Sequence, residues 1–383
     1  MLSLNILYTN KFKGVIVYNI NMQRTIKIKM EKNNSLIKTI KYYSKLYKYI
    51  LDTGLKNKTW NKVELHKLTY KKIRKKYPTF PSALIQTVRD VASETLKRTK
   101  LKKKIRTKEY TSMRLDKRNL RVNLEHNLIS MSSVKGRLKF KFKDTRMTLK
   151  YKNWKPIAGT LSYKNKQFYL NFVVEKEKPY SLQNNNILGI DRGINNILVC
   201  SNNQFFNSKH LKQVKGKYQY LKSILQSKGT RSSKRKLKNI SRREKRFVKD
   251  LNHQLSKVIV NSEYDTFVLE NLKKIRQNKG KRFNKKLGNW SFAQFENFLT
   301  YKSEGMGKTI IKVNPRYTSQ MCSKCGTIKK SNRNGNRFKF KECGFELHAD
   351  LNASRNIANL GKSEISRLSV NQPIVATEKL VTS

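Results

Sequence analysis

The stretch from Val268 to Leu351 restricts the fold of this chain more than any other. It reads VLENL around Glu270, NPRYTSQMCSKCG from Asn314 and CGFELHADLNASRNIA from Cys343. An acidic residue closes an apolar strand, a cysteine-bearing insert follows, and a second acidic residue, Asp350, opens a helix. Upstream, ILGIDRGINN puts Asp191 at the end of another apolar strand. Carboxylates at strand ends project into the cleft at a sheet edge. Three of them can hold two Mg2+ ions about 3.5–4 Å apart, which activate water and stabilise the leaving oxygen in phosphodiester cleavage. Mg2+ takes oxygen ligands and keeps several waters, so no histidine cage is needed. Taken singly, Asp191 and Glu270 read as turn residues, and Asp350 as a helix N-terminal residue favoured by the dipole. Their joint context carries the reading.

The insert holds Cys322-x-x-Cys325 followed by Gly326, the turn of a zinc knuckle, and Cys343–Gly344 has the form of a second. A fourth thiol is expected three residues before Cys343, where Phe340 stands. Three candidate zinc ligands remain, Cys322, Cys325 and Cys343. The fourth position falls to His348, to a water or to nothing. Cys200, alone in a strand, is expected to be buried. Clustered cysteines argue against a disulfide framework and for a metal site in a reducing compartment.

Lys and Arg number 86 against 24 Asp and Glu, a formal charge of +62. A field of that size makes a polyanion the expected partner, and nucleic acid fits an extended basic surface. No apolar run approaches the ~18–20 residues of a membrane-spanning helix. The clustered cysteines make a reducing cytoplasm the expected location, associated with the nucleoid. Residues 1–21 lack the long apolar core and cleavage site of a signal peptide. Met22 is expected to be the true start, with 1–21 a non-native leader.

From Met22, MQRTIKIKM alternates like a strand. A helix capped by Asn34 or Ser35 follows, with Leu36, Ile40, Tyr43, Tyr47 and Ile50 on one face and Gly54 as its stop. Two more helices span about Lys62–Lys76 and Ser82–Lys97, around Pro78 and Pro81. The first shows Lys67, Lys71, Lys72, Arg74, Lys75 and Lys76, a solvated face or a backbone-binding one. The second has an apolar face of Ile85, Val88, Ala92 and Leu96. A basic linker, Lys97–Glu109, leads to a period-two region from Tyr110 to Lys178. There RLKFKFK alternates, and GTLSYKNKQFYLNFVVE reads as a hairpin turning near Asn165–Lys166. Its aromatics suit cross-strand packing or base stacking. Residues 22–182 thus form a nucleic-acid-binding region, a small antiparallel β-domain with a helical insertion at about 34–99. After the polar linker Ser181–Asn186, residues 183–383 carry the strands ILGID, NNILVC, TFVLE and TIIKV. They also carry a basic helical stretch between Ser208 and Asn261, a basic loop NKGKRFNKK, a helix near Phe292–Glu304 and the ribbon-like insert at about 314–348. The tail after Gly361 shows no pattern.

In this order, the motifs resemble the transposon-encoded TnpB (OrfB) family, compact relatives of type V CRISPR effectors. KNKTWNKVELHKLTY resembles the family's N-terminal helical region. GIDRGIN, VLENL and HADLNASRNIA resemble its three RuvC-like motifs, and YTSQMCSKCG its zinc-ribbon entry. The resemblance implies a mixed α/β and β multidomain fold, with an RNase H-like (RuvC-like) nuclease domain carrying a zinc-ribbon insert. In it, Asp191, Glu270 and Asp350 bind the catalytic Mg2+ ions and the ribbon thiols bind zinc. It further implies an RNA-guided DNA endonuclease whose partners are a guide RNA and a target DNA, guide pairing supplying the specificity. The rival expectations are a decayed, non-cleaving nucleic-acid binder and a transposase that performs strand transfer with the same carboxylates.

Overall fold

The computed structural model describes residues 21–101, 105–179, 186–272, 280, 291–340 and 342–370. The leader up to residue 20, most of the linker at 181–186 and most of the basic loop at 278–286 lie outside the described residues, whereas Asn21, counted with the leader, is the first residue of a strand. The chain divides between Glu177 and Lys178 into two compact units.

In the first unit the order is β1 (Asn21–Met30), α1 (Asn34–Lys56), α2 (Lys62–Lys76), α3 (Ser82–Thr99), β2 (Met113–Leu115), β3 (Leu120–Asn123), β4 (Leu128–Ser133), β5 (Gly136–Lys141), α4 (Arg146–Lys150), β6 (Lys155–Lys164) and β7 (Gln167–Glu177). One antiparallel sheet runs β1-β7-β6-β2 and a second β3-β4-β5. The first strand pairs with the last, from Asn21 opposite Glu177 to Met30 opposite Phe168. The three helices are therefore an excursion from a sheet that closes behind them. Alternation buries Ile26, Ile28 and Met30 on β1 and Phe168, Leu170, Phe172 and Val174 on β7, one face of each pleat. Leu36, Ile40, Tyr43, Tyr47 and Ile50 of α1 pack into the same core as Ile85, Val88, Ala92 and Leu96 of α3.

The Asn33 side chain caps α1, accepting from the Leu36 N–H at 3.2 Å. Asn165 and Lys166 both take positive φ, 51° and 59°, and turn the β6–β7 hairpin in two residues. Gly54 does not stop α1. The helix runs on to Lys56, because a Cβ at Gly54 would lie 2.4 Å from Leu96 Cδ1, so the glycine lets α3 approach. Arg74 also departs from the expected basic face, donating to the Phe80 carbonyl at 2.9 Å, whereas Lys67, Lys71, Lys72, Lys75 and Lys76 are exposed.

The second unit contains β8 (Ile187–Asp191), β9 (Asn196–Cys200), β10 (Phe205–Asn207), α5 (Lys209–Lys228), α6 (Arg231–Val260), β11 (Thr266–Glu270), α7 (Phe292–Gly305), β12 (Thr309–Val313), β13 (Arg333–Asn334), β14 (Arg337–Lys339), β15 (Glu346–His348) and α8 (Ala349–Val370). Its main sheet is ordered β10-β9-β8-β11-β12. The pairs are antiparallel through β10, β9 and β8, then parallel through β8, β11 and β12. Leu188, Gly189 and Ile190 are buried in succession, as are Thr266 to Leu269, the run expected of strands covered on both faces.

Helix α8 covers β8. At Gly189 a Cβ would lie 2.1 Å from the Ser354 carbonyl oxygen, so only glycine allows the helix this close. The segment after Gly361 is helical as far as Val370, contrary to the patternless tail expected. Gly361 reads as a stop in sequence but is a contact: a Cβ there would meet Val268 Cγ2 of β11 at 2.3 Å. Among the described residues no helix is long and apolar enough to cross a membrane.

Candidate active site

The three carboxylates reach one place by different routes. Strands β8 and β11 run parallel with Ile190 opposite Leu269. Asp191 and Glu270, each the next residue of its strand, therefore finish side by side at one sheet edge. Asp350 lies in the first turn of α8, which the close approach at Gly189 fixes against β8. The electrostatics show the convergence. Burial pushes the Asp191 carboxyl up to about 7, and the negative charges of Glu270 and Asp350 add to the rise. Arg333 and the Arg192 backbone oppose it. Burial also raises the Glu270 pKa, against the Thr318 hydroxyl and the Arg192 charge.

Two of the carboxylates, Glu270 and Asp350, are held by neighbouring side chains. Thr318 Oγ1 donates to Glu270 Oε1 at 2.5 Å. Asn196 Nδ2 donates to Asp350 Oδ2 at 3.0 Å, and the Arg333 guanidinium to Asp350 Oδ1 at 2.8 Å. Arg192, only 6% exposed, donates to the Glu270 carbonyl and to Glu296 Oε2 at 3.0 Å. Asn196 and Thr318 sit inside motifs that could have flagged them, ILGIDRGINN and YTSQ. Arg333 carries no such signal, because it reaches Asp350 through the fold of the insert.

The insert is tied to α8. Asn352 and Asn356, four residues apart on α8 and fully buried, both donate to the Met321 carbonyl at 2.7 Å. Asn356 also donates to the Thr318 carbonyl at 2.9 Å, and Asn352 Oδ1 accepts from the Ser323 N–H at 2.9 Å. These amides fix the chain entering the first knuckle.

Cys322, Cys325 and Cys343 bring their sulfurs within 4.8 Å of one another. Among the described residues no other His, Cys, Asp or Glu set meets that spacing, the three carboxylates included. The Cys322–Cys343 separation is 3.8 Å. That matches the edge of a tetrahedron with Zn–S bonds of about 2.3 Å, roughly 3.8 Å. The Thr327 N–H and hydroxyl bring the Cys325 thiol down to about 7, towards the thiolate that binds metal, while burial raises Cys343. The donor set fits zinc with three ligands supplied.

Phe340 does not leave a hole at the fourth position. It is 1% exposed and packs with Phe338, Phe345 and Ala349, its N–H donating to the Phe345 carbonyl at 2.9 Å. His348 is engaged elsewhere: its Nδ1 accepts from the Asp350 N–H at 3.3 Å and its ring meets Phe205 edge-on at 5.1 Å. Cys200 is buried in β9, as expected.

Residues 171–279 match the OrfB_IS605 family model, described as a probable transposase, and residues 292–357 match the Cas12f1-like TNB domain model. A 112-residue segment is 43% identical to a CRISPR-associated endodeoxyribonuclease Cas12f1 of Sulfoacidibacillus thermotolerans, covering 28% of this chain and 26% of the relative. A TnpB-like protein of Methanocaldococcus jannaschii is 34% identical over 128 residues, 32% of this chain and 45% of the relative. Over these segments the chain is similar to TnpB-like and Cas12f1 proteins. These alignments span from about a quarter to less than half of the relatives' own length. The fold is similar to that of the protein in a Cas12f1–sgRNA–target DNA complex, with a TM-score of 0.61 at 18% identity over 85% of this chain and 82% of that one.

Proposed function

We propose that the chain is an RNA-guided, metal-dependent DNA endonuclease of a transposable element, located in the cytoplasm. Residues 183–383 act as the RNase H-like (RuvC-like) nuclease domain and 22–182 as the region that grips guide RNA and target DNA. The observation that carries this reading is the convergence of Asp191, Glu270 and Asp350: burial raises the Asp191 pKa, and the charges of Glu270 and Asp350 raise it further. Mutually repelling, partly desolvated carboxylates suit a divalent cation and little else. The oxygen-only donor set fits Mg2+.

A bound Mg2+ pair supplies an activated water and neutralises the leaving oxygen. The chain does the rest. Asp191, Glu270 and Asp350 hold the ions, Thr318 and Asn196 fix the rotamers of Glu270 and Asp350, and Arg333 sets a guanidinium where phosphate charge would meet it. The three thiols hold zinc in the insert that delivers Arg333. A charge of +62 supports a protein that holds RNA and DNA together. The printed name of the Cas12f1 relative is endodeoxyribonuclease, which supports hydrolysis, whereas the OrfB_IS605 model is described as a probable transposase.

The test is cleavage of a plasmid library in Mg2+ by protein co-expressed with its own downstream genomic sequence, with Asp191→Ala alongside. Guide-directed cutting that is lost in the variant supports the proposal. RNA co-purification without cutting overturns it in favour of a non-cleaving binder.

A further inference from the structure

A cavity of about 280 Å3 opens between the turn after β8 and the first half of α5. Gly193, Asn195, Leu211, Lys212, Gly216 and Phe292 are among its walls. Gly193 is two residues after Asp191, so their Cα atoms are within about 8 Å of each other. Ser208 pins this turn by donating to the carbonyls of Ile194 and Asn195 at 2.8 and 2.6 Å. Lys212 Nζ donates to Asn195 Oδ1 at 2.9 Å, which places an ammonium and an amide at the rim. Leu211 and Phe292 supply apolar surface.

Gly216 is the telling residue. It lies inside a 20-residue helix, where glycine is the poorest residue after proline. Gly189 and Gly361 are glycines because a Cβ would strike a neighbour. At Gly216 a Cβ would meet nothing within 4 Å. Packing therefore gives no reason for the glycine. Gly216 is exposed and lines the cavity, so that part of the wall carries no side chain.

We propose that this cavity is a nucleobase subsite, which takes one base of a single strand whose backbone crosses the carboxylate edge. Apolar walls receive the base face, and Asn195 and Lys212 meet its polar edge or the adjoining phosphate, the pairing of stacking surface with basic rim that single-strand binders use. The use made of the site rests on the nuclease reading; its existence does not.

The test is binding by full-length protein without divalent ion, at fixed salt, of a ten-nucleotide oligothymidylate against an abasic deoxyribose-phosphate strand of equal length. Wild type should prefer the base-bearing strand. Gly216→Trp, which fills the cavity, should reduce that preference roughly tenfold, the scale of one lost stacked base, with abasic affinity unchanged. Gly216→Ala should keep the preference and match or exceed the wild-type Tm. Should circular dichroism show the Trp variant unfolded, Gly216→Leu is read instead. A wild type without preference, a folded filled variant that retains it, or unfolding of both variants overturns the subsite. Cleavage enters none of these readings, so a Gly216-dependent preference in a protein that never cuts would count against the nuclease reading alone.

Discussion

The carboxylate centre and the thiol knuckles are two candidate metal sites in one unit, built on opposite plans. Asp191, Glu270 and Asp350 come from β8, β11 and α8, and tertiary packing presses like charges together. Cys322, Cys325 and Cys343 sit on two local turns of one small insert, and an aromatic core occupies the place of a fourth ligand. In the first site burial, with repulsion added, disfavours the charged form of Asp191, a penalty that a bound cation would relieve. The second is already supported by Phe338, Phe340 and Phe345. The difference teaches that a functional metal site can make the metal-free fold less stable, while a structural one can hand part of its task to apolar packing.

The sharpest way to break the comparison is to remove a carboxylate. Asp191→Ala is expected to lower cleavage at least about a thousandfold, roughly 4 kcal/mol of transition-state stabilisation, in a plasmid assay. Nucleic-acid affinity in a filter-binding assay should change less than about twofold, since phosphate contacts elsewhere set it. A parallel collapse of binding would make Asp191 structural.

The next effect is on stability. Asp191 has an ordinary value of 3.8 and about 7 in the fold. Because the folded form binds the proton more tightly, the stability it contributes is present below about pH 4 and is lost as pH rises through about 7. The loss is up to about 4 kcal/mol. In metal-free thermal melts, Asp191→Asn should remove most of that slope, and millimolar Mg2+ should restore wild-type Tm at pH 8. A flat wild-type profile would deny the repulsion.

Phe340 tests the other site. Phe340→Ala should cost about 3 kcal/mol by emptying the ribbon core, read as a lower Tm with or without zinc. Phe340→Cys should raise zinc retained after mild chelation, while lowering the Tm of the zinc-free protein. Unchanged zinc retention would mean that the three thiols already complete the site. The smallest effect is expected from Thr318→Val, which removes the hydroxyl from Glu270. It should cost about 1 kcal/mol, seen as a weaker apparent Mg2+ affinity in titrations of melting temperature.

Much of the fold was legible because it rests on short-range periodicity. The β6–β7 turn at Asn165–Lys166, the faces of α1 and α3, and the strands ending at Asp191 and Glu270 all follow from residues within a few positions of one another. Glycine was where local reading failed. Gly54 and Gly361 look like helix stops, yet both lie within helices, because their lack of a side chain serves a partner far away in sequence. The same applies to Arg333, which reaches Asp350 only because β13, β14 and β15 fold the insert back.

The sequence by itself determined the chemistry on offer: three acids at element ends, three thiols on knuckle turns, and a charge of +62 that favours a polyanion. Spacing and alternation are local, and local hydrogen bonding obeys them. Tertiary structure alone decided that the acids meet, that Asn352 and Asn356 clamp the insert to α8, and that Phe340 is core rather than vacancy. Those outcomes depend on which distant surfaces can approach without a clash, and Gly189 against Ser354 shows how small the margin is: one methyl group.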